Sequence, residues 1–176
     1  MIARLSAQFG RALSALALCG CLLMLALMLI IVVDVTLRHL APPGWPQGLA
    51  WSNEVSEAML YLITMSVAPW LLRQGQHIRV DILLQALPKT LAWALEWLGD
   101  LIGLACCLVM AYYGWKATAA SFASGSLSIK TLVTPEWWWL VALPITFSLL
   151  AIEMLFRMHR LAQAERGPRH DAVTAA

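Results

Sequence analysis

Four apolar runs, each long enough to cross a lipid bilayer, limit what this chain can fold into. They extend from Ala12 to Leu37, Val55 to Leu72, Leu91 to Tyr113 and Trp137 to Phe156. An α-helix rises about 1.5 Å per residue, so about 20 apolar residues span the hydrocarbon core. The gaps between the runs are short. We therefore predict an all-α integral membrane protein with one four-helix domain over residues 1–176, of which 164–176 form a disordered cytoplasmic tail.

Composition supports this class and argues against a soluble enzyme. Apolar residues make up 61% and charged residues 12% of the chain, against about 45–50% and about 25% in soluble domains. Arg4 and Arg11 precede the first run, as in a signal peptide, but the run stays apolar from Ala12 to Val33. Since a cleaved signal has only about 7–15 apolar residues, we predict a retained helix. The net charge of +2 is dispersed, so we predict no nucleic-acid partner.

The distribution of Lys and Arg predicts the orientation of the helices, because basic residues near helix ends stay on the cytoplasmic side. With the N-terminus inside, nine of the 12 basic residues lie inside and three lie outside. The tryptophans also fall near the predicted helix ends, where indole prefers the membrane interface. We predict that both termini are cytoplasmic. The inner residues are Arg4, Arg11, Arg73, Arg79, Lys89, Arg157, Arg160, Arg166 and Arg169, and the outer ones are Arg38, Lys116 and Lys130.

Charged side chains at the outer helix ends are candidates for a structural role. A charge in hydrocarbon is costly unless it is paired or hydrated. Asp34 and Arg38 are four residues apart in the first helix, a spacing that places them on one face as an ion pair. Glu54 opens the second helix, where a carboxylate complements the positive end of the helix dipole.

Glu96 and Asp100 form a second pair with a spacing of four residues, near the cytoplasmic end of the third helix. Two carboxylates on one face need a cation, which Arg73, Arg79 or a partner subunit could supply. Such pairs serve some transporters as coupling-ion sites or proton relays. The alternative is an arginine-neutralised anchor near the interface, and we favour it because the carboxylates lie near helix ends.

Small residues and one proline predict how two of the helices pack. Gly99, Gly103, Cys107 and Ala111 repeat every four residues in the third helix. In lipid, such a strip lets two helix backbones approach closely. Pro144 removes one backbone hydrogen bond in the fourth helix, which predicts a bend in its outer half.

The loop between the second and third helices contains a short amphipathic segment. Apolar residues recur at helical spacing from Val80 to Leu87, and the segment ends at Pro88. We predict that it lies along the cytoplasmic interface with Asp81 towards water. His77 is interpreted as a hydrogen-bonding loop residue rather than a ligand or proton carrier.

The motifs in this chain resemble those of one transporter family. Trp51-Ser-Asn-Glu54 is followed by Arg73-x-Gly75-x-His77-Ile78-x-Val80-Asp81 and then by Leu87-Pro88. With Asp34-x-x-x-Arg38 and Leu143-Pro144-Ile145, this pattern is similar to the DctQ-like small permease subunit of tripartite ATP-independent periplasmic (TRAP) transporters. Glu57 departs from the family, which often has Arg there.

The resemblance implies a function and partners. It implies a bacterial inner-membrane subunit that scaffolds a large DctM-like permease subunit, which carries out sodium-driven symport of an organic acid. A periplasmic DctP-like binding protein delivers the substrate, and membrane phospholipid surrounds the complex. The resemblance implies structural or subunit-interface roles, and we add the third-helix residues on spacing. The candidates are Asp34, Arg38, Trp51, Glu54, Arg73, His77, Asp81, Glu96, Gly99, Asp100, Gly103 and Pro144.

Two other functions fit a chain with four helices. A redox complex could use it as a haem-bearing membrane anchor, but haem ligation by two histidines needs them within the spans. His39, His77, His159 and His170 lie at helix ends or in loops and tails. The chain could also be an autonomous small exporter, which would need a membrane-embedded acid. We predict a non-enzymatic protein with no catalytic residue, no cofactor and no metal site.

Overall fold

Four long helices, one short helix and one β-hairpin form the described part of the chain. The computed structural model describes residues 2–40, 48–75 and 88–163. The four long helices are long and apolar enough to cross a membrane, which confirms the predicted fold class. In chain order the elements are α1 (Ile2–Leu40), α2 (Ser52–Arg73), α3 (Lys89–Ser124), β1 (Leu127–Ile129), β2 (Val133–Pro135), α4 (Trp137–Leu140) and α5 (Ala142–Gln163).

The helices α1 and α3 are longer than the apolar runs that predict them. They contain 39 and 36 residues, or about 59 and 54 Å at 1.5 Å per residue. The helix α3 continues past Tyr113 although Gly114 follows directly, and the four alanines between 117 and 123 favour the helix there. It ends where Gly125 adopts a left-handed conformation with φ of 63° and its amide bonds back to the carbonyl of Phe122.

A β-hairpin, which the apolar runs and motifs of the sequence did not predict, follows α3. The strands β1 and β2 are antiparallel, with Ser128 opposite Thr134 and Ile129 opposite Val133. Three residues, 130–132, form the turn between them. The alternation of apolar and polar residues in both strands is typical of a strand with two different faces, so a short signal for the hairpin was present.

The helices α2 and α5 lie side by side, with α1 against α2 and α3 against α5. Glycines allow close approach at these contacts. A Cβ atom on Gly20 would lie 2.7 Å from a methyl group of Val67, and one on Gly114 would lie 2.6 Å from Cδ2 of Leu143. Each glycine therefore places the backbone of one helix against a side chain of its neighbour.

Two prolines interrupt the hydrogen bonding of the central helices. The predicted fourth span is interrupted at Val141, between α4 and α5, three residues before the buried Pro144. The sequence predicts a bend at Pro144, and the structure has this interruption of the helix beside it. In α2, Pro69 has no amide to donate to the carbonyl of Met65. The Thr146 hydroxyl of α5 donates to that carbonyl at 3.1 Å, so the neighbouring helix supplies the missing bond.

Several predicted features lie outside the described residues. They are His77, Asp81, the amphipathic segment that ends at Leu87, and the tail 164–176.

Candidate functional site

A buried carboxylate on α5 joins two helices. The side chain of Glu153 is 0% exposed. Its Oε2 accepts a hydrogen bond from Nη1 of Arg73 on α2 at 2.9 Å, and its Oε1 accepts one from Nη2 of Arg160 at 2.7 Å. Both carboxylate oxygens are thus bonded to guanidinium groups, the arrangement that a buried charge requires.

A second ion pair joins α5 to α3 beside the first. Arg157 Nε lies 3.0 Å from Oδ1 of Asp100, and both side chains are buried. Glu96 is buried one turn away on the same helix. We name Arg73, Asp100, Glu153, Arg157 and Arg160 the Glu153 cluster.

The structure corrects the expected role of Arg73. Arg73 and Arg79 are both cations that the sequence suggests for the carboxylates of α3. In the structure Arg73 bonds to Glu153, and Arg157 is a cation beside Asp100; Arg79 lies outside the described residues. The reason is geometric, because α2 packs against α5 and α5 lies between α2 and α3. Arg73 of α2 therefore meets the carboxylate of α5, the neighbouring helix, rather than the carboxylates of α3.

Sequence reasoning missed Glu153 itself. This single carboxylate lies inside an apolar run, and hydropathy averaged along the run conceals it. A signal was available, because Arg157 and Arg160 follow Glu153 by four and seven residues and these spacings place all three on one face of a helix.

A glycine on α1 makes room for Arg73. The guanidinium group lies where a side chain on Gly10 would be, since a Cβ atom there would be 2.6 Å from Cζ of Arg73. The same guanidinium donates a hydrogen bond to Ser6 Oγ at 3.4 Å. Arg73 therefore contacts α1 as well as α5, so one side chain connects three helices.

The C-terminal end of α1 carries the predicted ion pair. Arg38 Nε donates to Oδ2 of Asp34 at 2.8 Å. The second oxygen, Oδ1, accepts the backbone amide of Leu49 at 2.6 Å. Gly48, with φ of 111°, lies against both charged side chains, and only a glycine adopts this conformation readily. Asp34 thus fixes the chain that leads into α2, in addition to its pairing with Arg38.

Glu54 near the start of α2 binds the hairpin. Its two carboxylate oxygens accept the backbone amides of Thr131 and Leu132 at 2.6 and 2.9 Å. One turn further along α2, Glu57 pairs with Lys130 at 2.7 Å. Glu57, where the family often has Arg, therefore has a cationic partner in the hairpin turn.

The hydrogen bond and the attraction to Glu57 raise the pKa of Lys130 above its ordinary value of 10.5. A raised lysine pKa stabilises the folded protein below that ordinary value, and the contribution is lost as the pH rises through the pKa of the folded state. Lys130 therefore remains charged at neutral pH.

An open cavity of about 540 Å³ lies between α2, the hairpin and α4. Its wall mixes charged and aromatic side chains, among them Glu54, Glu57, Tyr61, Lys130 and Trp138. Trp139 Nε1 donates to Thr134 Oγ1 at 3.2 Å, which connects α4 to the hairpin. The hairpin that forms one wall of the cavity is thus bonded to both α2 and α4.

The remaining candidates lie at separate places. Trp51 immediately precedes α2 and is exposed, and Pro144 is buried in the first turn of α5. Gly103 of α3 contacts the Met154 side chain. Gly99 is exposed, and among the described residues no atom lies within 4 Å of the position of a Cβ there. The third-helix strip is therefore divided: Gly103, Cys107 and Ala111 lie on the partly or fully buried side, whereas Gly99 is exposed.

Comparison with known families agrees with the motif resemblance. No curated protein matches the chain. The family model described as "Tripartite ATP-independent periplasmic transporters, DctQ component" matches residues 27–164, which is most of the chain. The match includes Asp34, Glu54, Arg73, Asp100 and Glu153. This chain therefore belongs to the DctQ family, a membrane component of tripartite ATP-independent periplasmic transporters.

Proposed function

We propose that this chain is the small, non-catalytic membrane subunit that scaffolds the large permease subunit of a TRAP transporter. In this proposal the large subunit carries out sodium-driven uptake of an organic acid, which a periplasmic binding protein delivers. The family supports a transport role. The scaffold role depends on one observation, the Glu153 cluster.

The Glu153 cluster supports a scaffold because its charges engage one another across three helices. Arg73 of α2 and Asp100 of α3 are both held by residues of α5. Breaking a buried ion pair is strongly destabilising, since it leaves a charge without compensation. The cluster therefore resists relative movement of α2, α3 and α5, as a fixed support beside a moving subunit requires.

The surface of the bundle supports a membrane partner. Large apolar side chains are exposed along α1 and α3, for example Leu22, Met28, Ile102 and Leu108. In the transporter, we propose that part of this surface contacts the large subunit and that phospholipid covers the rest. The protein then resides in the bacterial inner membrane, with both termini in the cytoplasm as the basic residues predict.

The test is co-purification together with transport. Pull-down of this chain in mild detergent is expected to recover the large permease subunit. Deleting the chain is expected to abolish uptake and to leave substrate binding by the periplasmic protein unchanged. Full uptake without this chain would contradict the scaffold role, and transport by this chain reconstituted alone would favour the autonomous exporter.

A further inference from the structure

The hairpin exposes its apolar face. Residues directly opposite one another in an antiparallel pair lie on the same face of a sheet, as do residues two apart on one strand. Leu127 and Ile129 of β1 therefore share a face with Val133 of β2. These three side chains are 55%, 80% and 60% exposed.

The other face of the hairpin is polar and turns towards the protein. Ser128 and Thr134 are partly buried and line the cavity beside α2. The turn is tied to α2 through Glu54 and Glu57. A hairpin on a water-soluble protein normally covers a core with its apolar face and exposes its polar face. This hairpin has the opposite arrangement.

The hairpin stands beside α2 rather than across its end. The cavity wall on the helix side includes Glu54, Glu57 and Tyr61, which follow one side of α2 for two turns. Because the hairpin lies on the other side of this cavity, its outer face points away from the axis of α2. For a helix that crosses the membrane, this direction is sideways, along the plane of the bilayer.

The depth of the hairpin corresponds to the membrane boundary. The helix α2 has 22 residues and is about 33 Å long, close to the thickness of the hydrocarbon core. Its first turn therefore lies near one boundary. Glu54, in that turn, binds the hairpin through Thr131 and Leu132, so the hairpin is held at the same level.

We infer that the apolar face of the hairpin, Leu127, Ile129 and Val133, inserts into the lipid boundary as a membrane anchor. Two side chains beside the hairpin have the chemistry of such an anchor. Trp138, which follows β2 and lines the cavity on the other side of the hairpin, is 52% exposed, and Lys130 lies at the turn. Tryptophan and lysine are the side chains that prefer the boundary between hydrocarbon and water. The occupant is lipid because the three side chains are purely aliphatic and face sideways.

Spin labelling in vesicles tests this anchor. The four free cysteines, Cys19, Cys21, Cys106 and Cys107, are replaced by serine or alanine in the full chain. A nitroxide label is then attached at Ile129→Cys or Val133→Cys in vesicles of phosphatidylethanolamine and phosphatidylglycerol. Thr131→Cys, in the exposed turn, is the matched control.

We expect labels at 129 and 133 to collide more often with oxygen, which dissolves in lipid, than with a water-soluble nickel chelate. The ratio of the two collision rates is expected to be several-fold higher than at 131. An equal ratio at the three positions would show that the face is in water and would overturn the inference. Protection from both reagents, in vesicles that also contain the co-purified large subunit, would overturn it in favour of a protein contact.

A second measurement keeps the native cysteines. A photoreactive benzoylphenylalanine that replaces Ile129 is expected to yield adducts with the mass of a phospholipid. Adducts with a protein, or no adduct above that of the same residue at position 131, would contradict the lipid contact.

Discussion

At the scale of single residues, Glu153 is the most deeply buried charged side chain among the residues that the structure describes. A carboxylate without exposed surface is stable only if other charges and hydrogen bonds replace water. Arg73 and Arg160 supply both, one from a neighbouring helix and one from two turns along α5. Arg73 is available because Gly10 leaves space for it. The same residues that neutralise the charge therefore also fix the position of α2 on α5.

Glu153→Gln is expected to destabilise the chain, because it leaves the partly buried Arg73 without a counter-charge. Breaking a buried pair costs about 3–5 kcal/mol, and this value is an upper bound because Arg160 is half exposed. Arg73→Gln combined with Glu153→Gln is expected to recover part of the loss. The measurement is unfolding in detergent micelles with increasing denaturing surfactant.

Glu57→Gln is the matched control for Glu153→Gln. Glu57 is also a paired glutamate, but its side chain is 72% exposed, and exposed pairs contribute little. If Glu57→Gln lowered stability as much as Glu153→Gln, burial would not be the cause of the effect.

Sequence reasoning found the residues whose partners are close along the chain. Asp34 and Arg38 are one helical turn apart, so spacing alone predicts the pair that the structure contains. The bond of Asp34 to the Leu49 amide and the bond of Arg73 to Glu153 depend on which helices are neighbours. Spacing within one helix does not contain that information.

At the scale of elements, hydropathy predicted the helices and missed the ends and the hairpin. The apolar runs mark where lipid surrounds a helix, whereas α3 ends only where Gly125 takes a left-handed conformation. The strands β1 and β2 have three residues each, too few for a firm prediction from alternation. Their stability comes from Glu54 and Trp139, which lie on other elements.

Gly114→Ala tests the close contact between α3 and α5. An added Cβ would meet Cδ2 of Leu143 at 2.6 Å and Pro144 at 3.2 Å, and overpacking of this kind costs about 1–3 kcal/mol. We expect a lower resistance to unfolding in detergent. Pro144 has little freedom to move away, because its ring is fixed and buried.

Gly99→Ala is the control on the same helix. Among the described residues nothing would touch the new Cβ, and alanine favours a helix over glycine by about 1 kcal/mol. The isolated chain should be unchanged or more stable. A loss as large as that of Gly114→Ala would contradict the packing at both positions. Weaker recovery of the large subunit with an intact chain would place Gly99 at the subunit contact.

At the scale of the whole molecule, the alternation of four spans fixes which loops share a side. Reporter fusions at Gly44 and Gly125 are expected to report the periplasm, and fusions at Gly75 and Gly167 the cytoplasm. The physical reason is the excess of basic residues on the second side. The measurement is the paired activity of a reporter active outside the cytoplasm and one active inside it. Opposite labelling at either pair would contradict the orientation with both termini inside.

The carboxylates of α3 decide whether the chain only supports transport or takes part in it. Asp100 faces Arg157 of α5, and Glu96 is buried one turn away. If these acids hold helices together, Asp100→Asn and Glu96→Gln lower the amount of assembled complex. The transporters that do assemble keep their sodium dependence, because the ion sites of the proposal are in the large subunit.

The measurement is sodium and substrate uptake in vesicles, normalised to the assembled complex. Glu57→Gln serves as the control for a change of charge on the exposed surface of α2, and we expect it to alter neither assembly nor coupling. A structural acid changes how many complexes form, whereas a coupling acid changes the number of sodium ions per substrate in each complex. If Asp100→Asn or Glu96→Gln assembled normally and altered that number, the carboxylates of α3 would belong to the transport pathway.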